Sequence, residues 1–403
     1  RHALLGPPGN SGGRPMRACI ATGEYHLDGE TFINRHIAHL FDGRTVVVCG
    51  RFNGANPYEK PVFARRGRGL RAGDIPLAPF WLLRNRMKHG TSRLPFGSVK
   101  RDLAAFLRDH EVEVVLAEFG TQALAVAPLC REMGLPVFTY FRGTDASKAL
   151  GSPRIVDAYR RMMPSLAGIF SVSQFLLDNL ARHGLRHPNA RVIPSGVDVR
   201  RFTPGEKDPL RCLAVGRFVE KKAPQITLAA FAAATRDMPE ARLDFVGDGP
   251  LLPSCRAQAA ELGIAGRVTF HGARPHETVR ALLASAQFFL QHSVTARDGN
   301  TEGLPTAIQE AMAAGCVTVA TRHAGIPEAV VDGESGLLVD EHDAEGFARA
   351  IRRALTAPDP AAMGRAARAR AEQRFDNGRL LVELEAAIRA TLAGRVSERL
   401  SST

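Results

Sequence analysis

Two glutamates eight residues apart, Glu302 and Glu310, sit in the run from Asp298 to Gly315, DGNTEGLPTAIQEAMAAG. Glu302 ends a polar loop and is followed by Gly303 and Leu304. Pro305 suits the first position of a helix, because its φ is already helical and its missing N–H costs nothing there. Glu310 then falls about a turn and a half into that helix. The amides of Leu304, Thr306 and Ala307 are left unpaired at the helix start, where the dipole favours an anion. The segment therefore offers an anion cradle with a carboxylate on each side. A sugar nucleotide has this layout, with a diphosphate in the middle, sugar hydroxyls at one end and ribose hydroxyls at the other. Carboxylates accept strong hydrogen bonds from such hydroxyls.

A cationic element precedes it. Val215-Gly216-Arg217-Phe-Val-Glu220-Lys221-Lys222 follows a strand-like run and leads into a helix near Pro224. Gly216 permits a sharp turn, after which Arg217 and Lys222 can both reach a diphosphate. When a glycosyl group leaves a nucleoside diphosphate, the terminal phosphate gains negative charge, and fixed cations there stabilise the transition state. A second strand-to-helix turn, Phe245-Val-Gly247-Asp248-Gly-Pro250, is followed by Val268-Thr-Phe270-His271-Gly272. In the first half, Thr139-Tyr-Phe-Arg142-Gly-Thr-Asp145-Ala-Ser147 follows another strand-like run. Gly23-Glu-Tyr-His26-Leu-Asp-Gly29-Glu30-Thr-Phe-Ile33 links the first strand to the first helix. Gly29 allows close approach of a substrate there, and Glu30 is placed to cap the helix.

The glutamate pair within Glu-Gly-Leu-Pro and Gln-Glu-Ala-Met-Ala-Ala-Gly resembles the glutamate–seven residues–glutamate motif of retaining glycosyltransferases, most closely glycosyltransferase family 4. The resemblance implies that Glu302 contacts the donor sugar, Glu310 holds the ribose, and Arg217 and Lys222 hold the diphosphate. It implies that Gly216, Gly247, Gly303, Leu304 and Pro305 bind the nucleotide sugar. The Arg142–Asp145 segment is similar to the family's His-Gly-x-Asp element, with Arg142 where the family commonly has histidine. An arginine cannot act as a base, so its expected part is to stabilise the leaving diphosphate or to bind an anionic acceptor. Residues 23–33 resemble the Ser-Glu-Thr-Phe-Ile segment of exopolysaccharide transferases of the colanic-acid type; acceptor binding is expected on the first domain around residues 23–31 and 51–95, with Gly29, Glu30 and Asp145 as its candidate residues. Pro194-Ser195-Gly196-Val197-Asp198 and Ala324-Gly325-Ile326-Pro327-Glu328 continue the family pattern.

These residues need a scaffold of alternating strands and helices. In the first half, strands are expected at 17–21, 45–49, 112–117, 136–141, 168–172 and 190–193. In the second half, they are expected at 210–215, 242–246, 267–270, 286–290, 316–320 and 336–339. Helices such as 31–40, 99–109 and 174–183 fill the gaps, which argues α/β with parallel sheets. The expected architecture is GT-B, two Rossmann-like doubly wound domains facing a cleft, with ligands at the carboxyl ends of the strands. Residues 1–15 read as a leader or tag. The first, acceptor domain is expected over 16–203 and the second, donor domain over 209–374. A C-terminal helix over 375–403 returns to the first domain.

The chain of 403 residues is 45% hydrophobic and long enough for two or three cores. Its apolar runs are strand-length and none spans a bilayer. No secretory signal is evident, and six cysteines without metal spacing read as buried thiols of a cytoplasmic protein. No Asp-x-Asp follows a strand, so neither a metal nor a cofactor is expected beyond the donor, a UDP- or GDP-sugar. Net charge is +12, with 46 of 53 basic residues arginine. Residues 65–101 hold ten Arg or Lys and one acid, Asp74, beside Phe80 and the single Trp81. That composition fits either a peripheral contact with an anionic membrane surface or a surface loop anchored by a buried tryptophan. No recognition motif supports nucleic acid. The sequence thus reads as a retaining, metal-independent hexosyltransferase that builds an exopolysaccharide or other cell-surface glycan on a glycan or lipid-linked acceptor. A silent nucleotide-sugar-binding protein of the same fold, a GT-B sugar-nucleotide epimerase and a membrane-surface scaffold remain as alternatives.

Overall fold

Apolar, β-branched runs such as Val46–Cys49 and Val114–Ala117 are buried throughout, as strands covered by helices on both faces must be. The structure, a computed structural model, describes residues 15–27, 29–67 and 71–401. The expected leader lies outside these residues except for its last position, and so does Arg68 of the basic segment.

The first sheet contains β1 (Ala18–Glu24), β2 (Thr45–Arg51), β3 (Val62–Ala64), β4 (Val114–Glu118), β5 (Val137–Phe141), β6 (Gly168–Ser171) and β7 (Ala190–Val192). The second contains β8 (Asp208–Val215), β9 (Arg242–Val246), β10 (Val268–Phe270), β11 (Ala286–Gln291), β12 (Val317–Thr321) and β13 (Gly336–Val339). Every pairing is parallel. Strand order is β3-β2-β1-β4-β5-β6-β7 in one sheet and β10-β9-β8-β11-β12-β13 in the other. In each sheet the order reverses beside the first strand, between β1 and β4 and between β8 and β11. The crevice at that point, past the carboxyl ends, is where such folds bind ligands. Both sheets together make the GT-B architecture expected from the sequence.

The twelve expected strands form within a few residues of their expected ends. β3 went unforeseen because its three residues follow Pro61 and carry no alternation to read. The helix Ala78–His89 was also not foreseen, because only Asn85 of its residues is buried and it shows no apolar face turned to a core. All six cysteines are buried and free.

The last helix, Asn377–Ser401, packs Leu380, Leu384, Ala387 and Ile388 against the core. Its Glu385 Oε1 accepts the Phe41 N–H at 2.6 Å, and its Thr391 Oγ1 accepts from Asn189 Nδ2 at 2.9 Å. It therefore returns to the first domain. The crossing is stitched by Val197 N–H to Phe375 O (2.7 Å) and Asn377 N–H to Val197 O (3.0 Å).

Candidate active site

The loops after β8, β9 and β10 run in contact and form one floor. Gly216 N–H donates to Val246 O, and Gly247 N–H donates to Gly272 O, each at 2.9 Å. A Cβ on Gly247 would stand 2.0 Å from Gly216 O, with φ at 140°, so only glycine lets these turns close. Arg217 projects from this floor, exposed and without an acidic partner among the described residues.

Lys221 and Lys222 follow in a single 3₁₀ turn. They meet Glu302 from the neighbouring β11 loop. Lys222 Nζ lies 3.0 Å from Glu302 Oε1 and Lys221 Nζ lies 3.4 Å from Oε2. Burial works to raise the Glu302 carboxyl, yet Lys222 and Lys221 outweigh it and hold it at about 2. Burial also pulls Lys221 below its ordinary value, with Glu302 opposing. The Glu302 amide donates to His323 Nε2 at 3.1 Å, and His323 Nδ1 lies 2.6 Å from Glu341 Oε1. Nε2 is thus an acceptor, which puts the ring proton on Nδ1 facing Glu341. This chain of contacts fixes Glu302 from behind.

The helix that follows is Thr306–Ala313, and Pro305 is its N-cap with φ −60° and ψ 125°. The expected first helical position is thus shifted by one residue, because the extended ψ keeps Pro305 outside the helix. No acceptor is recorded among the described residues for the amides of Gly303, Leu304, Thr306 or Ala307. They sit beside the Lys222–Glu302 pair in sequence and end the same loop, so the anion cradle and the two lysines are neighbours. Glu310 is buried on this helix, and its Oε1 meets His276 Nε2 at 2.9 Å.

The first domain closes on this loop. A Cβ on Gly303 would stand 2.2 Å from Arg142 O. Thr301 N–H donates to Ser147 Oγ at 3.3 Å, and Lys148 Nζ pairs with Asp298 at 2.8 Å. Glu328 of the second domain accepts the N–H groups of Gln174 (2.8 Å) and Phe175 (2.9 Å), capping a first-domain helix across the cleft.

The Arg142 guanidinium turns to its own domain rather than to the Glu302 loop. Its Nε donates to Glu118 Oε2 at 2.8 Å and its Nη1 to Ser195 Oγ at 3.0 Å. It lies 4.1 Å from the Phe32 ring centre and 3.9 Å from that of Tyr140. Burial opposes ionisation of Glu118, but Arg142 and His36 prevail and hold its carboxyl below the usual range. Arg142 therefore balances a buried carboxylate rather than waiting for a diphosphate. Removing one partner of a buried pair leaves the other uncompensated. Arg142→Ala is expected to cost about 3 kcal/mol of stability, read from urea unfolding.

Asp145 likewise serves the backbone. It is buried and accepts the N–H groups of Gly120 (2.8 Å), Arg142 (3.0 Å) and Gly143 (3.0 Å), so its carboxylate is spent on folding the β5 loop. Glu30 occupies the N-cap position of helix Thr31–His39 without a side-chain capping bond. Its carboxyl turns toward a cavity instead, where burial and Glu118 push it up to about 7, with Arg142 opposing. Gly29 is exposed with open space beside it.

Sequence reasoning missed Lys221, His276, His323 and Glu118. Glu118 did carry a signal, as a lone acid closing the apolar run Val114–Ala117. His276 and His323 carried none, since their partners lie 34 and 18 residues away.

Residues 198–370 match the model of glycosyl transferases group 1, and residues 41–201 match that of glycosyltransferase family 4. The chain is 32% identical over 356 residues to a Salmonella typhimurium protein named as a colanic acid biosynthesis glycosyltransferase, covering 81% of this chain and 87% of the relative. It is 29% identical over 398 residues to an amylovoran biosynthesis glycosyltransferase of Erwinia amylovora, covering 90% and 96%. Among solved structures it is similar to Anabaena Alr3699/HepE in complex with UDP, with TM-score 0.74 and 19% identity over 94% of this chain and all of that one. The chain belongs to family 4 of the glycosyltransferases and is a glycosyltransferase.

Proposed function

We propose that the protein moves a hexosyl unit, with retention of configuration, from a nucleoside diphosphate sugar to a hydroxyl of a growing exopolysaccharide or lipid-linked glycan. One observation carries this reading: two lysines converge on a buried carboxylate beside the free amides of a helix start. Glu302 pairs with Lys222. A bound diphosphate takes over Lys222, Arg217 and the amides of Leu304 and Thr306, and Glu302 turns to the sugar hydroxyls. The ribose hydroxyls displace His276 from Glu310. Arg217, Lys222 and the helix start supply the positive charge, so the reading calls on no metal ion or cofactor.

In the transfer step the bond from the anomeric carbon to the diphosphate breaks and the bond to the acceptor oxygen forms. The acceptor proton passes to the leaving phosphate on the same face. Glu302, a buried carboxylate, is held ionised between two lysines, which suits a hydrogen-bond acceptor better than a proton carrier. Relatives named for colanic acid and amylovoran biosynthesis support an exopolysaccharide acceptor, and a structural neighbour holding UDP supports a UDP-sugar donor. Proton NMR of the product formed from an α-linked donor tests the stereochemistry. An α-linkage is expected, and a β-linkage would overturn retention.

The reading includes a peripheral position on an anionic membrane. No helix among the described residues is long and apolar enough to cross one. Helix Ala78–His89, however, exposes Phe80 (60%), Leu83 (58%) and Met87 (69%) at three- and four-residue spacing, on one face. Arg84, Arg86 and Lys88 flank them, as an interfacial helix requires. The protein is expected to float with vesicles containing phosphatidylglycerol and not with phosphatidylcholine alone. The combined Phe80→Ser, Leu83→Ser and Met87→Ser variant is expected to stay behind; its flotation with the anionic vesicles would refute this contact.

A further inference from the structure

We infer that a first-domain cavity grips the acceptor by an anionic group, a phosphate or a carboxylate, through Arg65, Arg66 and Arg93. This rests on the reading that the first domain holds the acceptor, and it names that acceptor's chemistry.

The cavity, about 610 Å³, opens past the carboxyl ends of β1, β2 and β4, at the switch point of the first sheet. Four arginines line it, Arg51, Arg65, Arg66 and Arg93, against two carboxyls, Glu24 and Glu30. None of the four forms an ion pair among the described residues; Arg51, Arg66 and Arg93 are exposed and Arg65 is half-buried, whereas the half-buried Arg211 and Arg368 and the buried Arg142 each have a carboxylate partner. Arg65 is the most telling. One of its terminal nitrogens rests on the neutral Gln122 Oε1, and its buried Nε has no acceptor. Burial lowers the Arg65 guanidinium to about 10, and Arg66 and Arg93 push the same way while Cys49 opposes. A desolvated cation beside two like charges is stabilised by a bound oxyanion, and a guanidinium fork matches phosphate and carboxylate alike.

Two features extend the argument. Helix Gly120–Glu132 begins at the same wall with Thr121 and Gln122, adding the positive end of its dipole. Leu94, Phe96 and Phe119 supply an apolar side, so the anion would sit on a partly apolar body. Glu30 lines the cavity at the edge facing Glu118 and Arg142, and the Arg142 carbonyl touches the Gly303 loop. An acceptor held at the arginine end thus extends toward the donor loop.

The test is calorimetry on the full chain saturated with UDP, titrated separately with geranyl phosphate, octyl glucuronide and neutral octyl glucoside. At least one anion is expected to bind tenfold or more tightly than the glucoside. Arg65→Gln and the exposed Arg93→Gln are each expected to weaken it by about tenfold, while exposed Arg236→Gln leaves it unchanged. Preference for geranyl phosphate assigns the anion to a lipid phosphate, and preference for the glucuronide assigns it to an acidic sugar. Equal binding of all three, or undiminished anion binding in Arg93→Gln, overturns the inference. Failure to bind UDP would count against the donor site alone, since the same titrations without nucleotide still decide the anion.

Discussion

Lys222→Ala is expected to lower kcat by about two to three orders of magnitude, the usual effect of removing one fixed charge from a developing oxyanion. The expectation follows from position. Lys222 Nζ, in the 3₁₀ turn after β8, stands 3.0 Å from Glu302 Oε1, whose loop leads into helix amides that have no acceptor among the described residues. In the free protein Lys221 keeps Glu302 compensated, so the variant should fold. The charge at the leaving phosphate is what it lacks. The loss should therefore appear mainly in kcat, with KM for the donor changed far less. Steady-state kinetics of transfer, with thermal melting as the folding control, checks this. A kcat within threefold of the parent would remove Lys222 from the chemistry.

Gly303→Ala is expected to reduce kcat/KM by about 10²-fold while leaving each domain folded. Its Cβ would stand 2.2 Å from Arg142 O and 2.6 Å from Val172 Cγ2. The loop cannot yield on its other side, because Gly303 O already accepts the Gly325 N–H at 2.9 Å, and a Cβ at Gly325 would itself stand 2.3 Å from that oxygen. The clash must be relieved by moving the two domains apart. Glu302 is the neighbouring residue, and a shift of about 1 Å at a reacting group costs about two orders of magnitude. Kinetics paired with small-angle scattering would read both effects. Parental activity in this variant would mean that the closed contact at Arg142 is dispensable for transfer.

The second-domain cluster was legible as a cluster because its residues are local. Glu302, the free amides and Glu310 lie within one loop-helix segment, so spacing alone brings them together. Arg217 and Lys222 follow directly on a strand whose apolar run marks its end. The strands were legible for the same reason, being short β-branched runs bounded by Gly, Pro and polar turns. The first-domain residues were harder. Arg142 looked available for an anion because Glu118, its partner at 2.8 Å, lies 24 residues earlier. Asp145 looked like a ligand because the three amides that claim it become neighbours only when β4 and β5 pair. The arginines of the first-domain cavity come from β2, from the residues after β3 and from the loop before helix Gly97–Asp109. In sequence all four fell within residues 51–95, where acceptor binding was expected, but nothing in the spacing marked a shared cavity.

The central claim, a donor site built from Arg217, Lys222, Glu302 and Glu310, is tested most directly by incubating the protein with a panel of UDP- and GDP-sugars. Release of nucleoside diphosphate is measured beside Lys222→Ala and Glu310→Ala. The account predicts release from one donor, lost with Lys222→Ala and strongly reduced with Glu310→Ala. Release that both variants retain in full, or a parent neither turning over nor stabilised by UDP or GDP, would contradict it.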